Sequence, residues 1–217
     1  MAMAHLNRAN AFWAEMSACE HFVQIYESEE VFMDTLVSFV SKALKEDHTA
    51  VVIAKPAHRQ ELNERLMESG HDLTALRLQD QLISLDAEEM IKKFMTNGWV
   101  DDELFFQLVA DILARATKTG RKVRAFGEMV TVMWSKGFYG ATVRLEYLWH
   151  RLCAENSLHC FAHTRKLALR RMDPKRLRNV ARCRPKLIKN MRRTFQNSYC
   201  LSMKQLSFKI HWWGKGG

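Results

Sequence analysis

Apolar and polar positions along this chain alternate between two periods. His21-Phe-Val-Gln-Ile-Tyr26 is short, apolar and rich in β-formers, which predicts a buried strand. Glu27-Ser28-Glu29-Glu30 follows, with Ser28 placed as an N-cap and carboxylates suited to a helix N-terminus. Val31, Phe32, Leu36, Phe39, Val40, Ala43 and Leu44 then recur at helical spacing as far as Lys45. Thr49 to Ala54 (TAVVIA) is one continuous apolar run, the pattern of a strand covered on both faces, with Pro56 just past its end. The spacing predicts a helix over His58 to Ser69, stopped by Gly70. Short strands are expected at Leu76 to Leu78 and Leu82 to Leu85. Asp86 caps a predicted helix over Ala87 to Thr96, and a further helix covers Asp101 to Thr117. Val123 to Phe126 is the next strand, Val130 to Lys136 and Val143 to Glu155 are helices, and Leu158 to Phe161 is the last strand. Strand and helix alternate throughout, so the expected fold is α/β, a mostly parallel open sheet flanked by helices.

Charge divides the chain at the end of that pattern. The whole carries +9, but residues 1–161 hold 17 basic and 23 acidic side chains, whereas residues 162–217 hold 16 basic and 1 acidic. All of the basicity therefore belongs to a tail in which apolar periodicity also fails. Three stretches are expected: an N-terminal segment (1–18), a packed domain (19–161) and a basic, irregular tail (162–217). The cysteines Cys19, Cys153, Cys160, Cys183 and Cys200 are odd in number and show no C-x-x-C spacing, as expected of reduced thiols in a cytoplasmic protein. His5, Arg8, Glu15 and Glu20 interrupt the first twenty residues, so no signal peptide is read there, and no apolar run approaches a membrane span.

Candidate chemistry is sparse. The loop after the first strand would cradle phosphates in many α/β folds, but Tyr26-Glu27-Ser28-Glu29-Glu30 has no glycine or lysine, and its three carboxylates repel phosphate. His159, Cys160 and His163, with Cys153 upstream, lack a second pair to complete a zinc site. No Gly-x-Ser-x-Gly or His-Glu-x-x-His motif occurs, so no catalytic residue, metal or cofactor is expected. The better candidate is a ligand cluster of Arg124, Glu128, Trp134 and Glu146. Arg124 and Glu128 flank a strand-to-helix turn, and His21 and Tyr26 are placed to line the same crevice. The competing reading makes Arg124 and Glu146 an internal salt bridge and Trp134 a core residue. In the tail, sixteen basic residues among Phe195, Tyr199, Phe208, Trp212 and Trp213 would suit nucleic-acid binding.

These residues carry a resemblance. His21 to Tyr26, Thr49 to Ala54, Val123-Arg-Ala-Phe-Gly-Glu-Met129 with Trp134, and Leu145-Glu146 with Trp149 and Leu152 resemble the MEDS domain. This is the sensory domain named for methanogens, methylotrophs and the dichloromethane-metabolism repressor, and the resemblance covers about residues 19–161. It implies a non-catalytic sensory module of a bacterial or archaeal regulatory system, with a RecA/KaiC-like core that has lost its phosphate loop. It also implies an unknown small-molecule ligand, and a histidine kinase or transcription regulator as the output partner. His21, Tyr26, Arg124, Glu128 and Glu146 match the motif positions, while His150 stands where the family more usually has Asn.

Family members tend to end the domain with a strand like Phe-Cys-Ala-Tyr-Pro, whereas this chain reads Phe161-Ala-His-Thr-Arg165. Inserting one T after the codon for Phe161 restores that ending in a permitted spelling of the gene. A one-base deletion there would put residues 162–217 out of frame, explaining the charge jump and the loss of periodicity together. The alternative is a native basic arm that associates with nucleic acid, and only in that case is nucleic acid an expected partner. No membrane partner is expected.

Overall fold

The computed structural model describes residues 21–26, 28–156, 159–165 and 198–202, with backbone alone for 21–26, 150 and everything after 152. The N-terminal segment and most of the basic tail lie outside the described residues. The elements are β1 (His21–Tyr26), α1 (Glu29–Lys45), β2 (Thr49–Ala54), α2 (Pro56–Glu68), α3 (Leu73–Leu78), β3 (Leu82–Asp86) and α4 (Ala87–Phe94). A small hairpin of β4 (Met95–Thr96) and β5 (Trp99–Val100) comes next, then α5 (Asp102–Thr117), β6 (Val123–Gly127), α6 (Met129–Ser135), α7 (Tyr139–Asn156), β7 (His159–Arg165) and β8 (Ser198–Ser202).

The main sheet runs β3-β2-β6-β7-β1-β8. The contacts from β3 through to β1 are all parallel, and β8 is antiparallel to β1. The expected mixed α/β architecture is therefore present. The domain end expected at Phe161 falls inside β7.

Every residue of β2 is buried, as the unbroken apolar run requires. Strand alternation then divides its side chains between two cores. Val51 and Ile53, with Val123 and Ala125 of β6, pack on one face among α4, α5, α6 and α7. Ala50, Val52 and Ala54, with Phe126, pack on the other among α1, α2 and Leu73 of α3. The α1 stripe Phe32, Met33, Leu36, Phe39, Val40, Ala43 and Leu44 is buried along its whole length in this second core.

Two expected elements differ. Leu76 to Leu78 is helical rather than extended, because the Asp72 carboxylate accepts from the backbone N–H groups of Thr74 and Ala75 at 2.9 and 3.1 Å and starts α3. The helix begun at Asp86 ends at Phe94, not Thr96. Asn97 and Gly98, both at positive φ (52° and 77°), form a two-residue turn that pairs Met95 with Val100 and Thr96 with Trp99. Asn-Gly favours this turn because both residues accept left-handed backbone. Asp86 does cap α4, accepting from the N–H groups of Glu88 and Glu89.

Candidate functional site

Strand order fixes where a ligand crevice can open. The chain leaves β2 for β3 on one side and returns through α4 and α5 to β6 on the other. The connections thus diverge between β2 and β6, and the carboxyl ends of those two strands frame the crevice where open α/β sheets receive ligands.

Four charged side chains meet there. Glu128 follows β6, and its backbone N–H still donates to Ile53 O at 2.8 Å, which holds it against the end of β2. Its side chain is fully buried. Oε2 accepts from the Lys55 backbone N–H at 2.8 Å and lies 2.9 Å from His58 Nδ1, while Oε1 lies 2.7 Å from Lys55 Nζ. Lys55 caps α2 and Pro56 fixes its first turn, so the carboxylate also sits at the positive end of a helix. The other ring nitrogen, His58 Nε2, lies 2.5 Å from Glu29 Oε1 at the start of α1. The Phe32 ring packs beside the imidazole, 5.0 Å between centroids. Burial works to lower the pKa of His58, but its bond to Glu128, that carboxylate's charge and the bond to Glu29 outweigh it, and the pKa is raised. Next along the same edge, Arg59 donates to Ser84 Oγ at 3.0 Å and pairs with Asp86 at 3.5 Å, joining α2 to the end of β3.

The expected ligand cluster is not one site. Arg124 and Glu128 share the α1/α2 face of β6, but Arg124 serves the amino edge. There its Nη2 donates to Glu46 Oε2 at 2.6 Å and its Nε faces His48 Nδ1 at 3.3 Å, with the guanidinium over the Phe39 ring. Four residues of extended chain put roughly 13 Å between the two. The alternative salt bridge to Glu146 is also absent: α7 packs in the opposite core, and the partner of Arg124 is Glu46. The Glu146 Oε2 atom is shut off from solvent, and burial pushes the carboxyl up to about 7. Trp134 is half-buried against Tyr139, 4.5 Å between ring centroids, on the α7 side of the sheet. His21 opens β1 at its amino end and Tyr26 closes it at the carboxyl end, so the two do not line one crevice; their side chains lie outside those described. The side chains of Cys153, His159, Cys160 and His163 lie outside them too.

Of the expected residues, then, Glu128 and the backbone of Tyr26 belong to the carboxyl edge. Sequence reasoning missed Lys55, His58 and Glu29 as partners of Glu128. The signal was Lys55-Pro56 directly after the most apolar strand, with His58 one turn into the helix that Pro56 opens. Among the described residues, no helix is long and apolar enough to cross a membrane.

No curated protein and no solved structure matches this chain. The model of one family does, described as the methanogen/methylotroph, DcmR sensory domain, over residues 20–185. That match takes in all of the parallel strands, both edges of β6 and the carboxyl-edge cluster, and it continues past Phe161. The chain belongs to the MEDS family of sensory domains.

Proposed function

We propose that this chain is a non-catalytic sensing module that receives a small polar or amphiphilic ligand at the carboxyl edge between β2 and β6. The observation that carries the reading is the convergence of Glu29, Lys55, His58 and Glu128, from three separate segments, on the point where the strand connections diverge. Lys55 supplies a partly exposed ammonium that a ligand can engage, and the buried Glu128 couples any such contact to α2 and to the start of α6. A ligand that favours one arrangement of these elements shifts the population toward it, which is all that sensing requires. The core reads as RecA/KaiC-like without its phosphate loop. Its output passes to a histidine kinase or a transcription regulator in the cytoplasm.

Thermal unfolding of the full chain against a panel of small metabolites tests this. A ligand should raise the melting temperature of the wild type and do so less in K55M. If only nucleic acid stabilises the chain, and deleting 166–217 removes that effect, the basic tail is the working element and the reading fails. The frame of residues 162–217 is settled by resequencing the gene. A reading frame with the family-like ending one base away supports the deletion, and its absence rules the deletion out.

A further inference from the structure

His58 is gripped through both ring nitrogens by carboxylates from two different elements, Glu128 at the β6–α6 junction and Glu29 on α1. Each contact needs one proton between nitrogen and oxygen, whichever atom carries it. The imidazolium satisfies both. Remove one proton and one nitrogen lone pair faces a carboxylate oxygen at hydrogen-bond distance, which is repulsive. The two carboxylates are not equal competitors for the remaining proton. Glu128 is fully buried and is held in place by the backbone N–H and ammonium of Lys55. Glu29 is 37% exposed and can turn to water.

We propose that His58 is a proton-operated latch that ties the first turn of α1 to the sheet when protonated and, on losing its proton, keeps Glu128 and releases Glu29. The charged groups facing the ring among the described residues are Glu29 from α1, Glu128 from the β6–α6 junction and Lys55 from the start of α2. Arg59 of α2 is directed to Ser84 and Asp86 instead. Further along α1, Asp34 is bound by Arg65 of α2 at 2.6 Å, so the body of the helix stays fixed and only its start is freed. Ser28 makes no side-chain cap bond, which leaves that first turn dependent on the latch. The device lies beyond the ligand reading and operates whether or not a ligand is received at this edge.

Amide exchange of the full chain by nuclear magnetic resonance tests it. Two amides serve as reporters: Phe32, which donates to Ser28 O at the start of α1, and Glu128, which donates to Ile53 O. Between about pH 5 and about pH 9, either side of the ordinary histidine range, protection of Phe32 corrected for intrinsic rates should fall about tenfold, the loss of one charge-assisted bond. That fall should track the imidazole titration of His58, and Glu128 should keep its protection. In E29Q, the amide group donates to the neutral ring, so Phe32 should stay protected at high pH. A flat Phe32 profile in the wild type overturns the proposal, as does loss of Glu128 protection in its place or an E29Q profile identical to the wild type.

Discussion

The two ends of β6 carry ionic clusters on the same face, separated by the buried ring of Phe126, and they are built on opposite principles. At the amino edge one cation dominates. Arg124 is 4% exposed, its counter-ion Glu46 is partly in water, and its Nη1 is buried with no hydrogen-bond partner among the described residues. His48 beside it is pulled down by burial and by the guanidinium, so it stays neutral and accepts from Arg124 Nε. At the carboxyl edge a buried anion dominates, and cations and donors gather around it. The first arrangement is fixed in charge over the physiological range, and the second changes with a single proton. A strand with ionisable residues at both ends can therefore serve as structure at one edge and as a responsive site at the other.

The largest effect should come from E128Q. It leaves the His58 and Lys55 charges without their buried partner and should cost about 3 kcal/mol in urea unfolding. A cost under about 1 kcal/mol would show that the carboxyl edge is no more tightly organised than the surface. The histidines should then separate by pH. The His58 pKa is raised, so its stabilisation is complete below the ordinary value near 6.5 and is lost as pH rises through the folded value. H58Q should therefore cost most on the acid side, about 1 kcal/mol, and least in alkali. The His48 pKa is lowered, so the wild type loses stability as pH falls below that ordinary value, and H48Q should gain relative to it there. Parallel pH profiles for the two variants would erase the distinction between the edges. K55M should cost about 1 kcal/mol, because its ammonium is partly exposed even though its partner is not. The smallest change is expected for R124M, within about 1 kcal/mol of the wild type, since an apolar stem over Phe39 replaces a guanidinium whose burial is incompletely compensated.

Much of the fold was legible because each signal is local. The unbroken run from Thr49 to Ala54 announces a strand covered on both faces, and the α1 stripe announces its buried side. Errors arose where a short side chain or a turn overrules apolar spacing, as Asp72 does for Leu76 to Leu78 and Asn97-Gly98 does for Met95 and Thr96. The site was harder to read. Arg124 and Glu128 sit four residues apart in sequence, yet an extended strand carries them to opposite edges. Glu29, Lys55 and Glu128 are distant in sequence and meet only because β2 and β6 are neighbours. No periodicity reports that adjacency. The carboxylates of Glu27-Ser28-Glu29-Glu30 argue against a bound phosphate, but nothing local reveals that Glu29 is directed at a histidine.

The strand order also governs how the molecule comes off the ribosome. β1 is synthesised first, yet in the main sheet it pairs with β7 and β8, which emerge last. β2, β3 and β6 can join as soon as β6 has emerged, whereas β1 must wait for its parallel neighbour. During that interval an apolar six-residue strand stands unpaired at the nascent N-terminal end, a hazard for wrong pairing that grows with the delay. Slowing translation between β6 and β7 should therefore lower the yield of native protein, while the same pause before β6 should be tolerated.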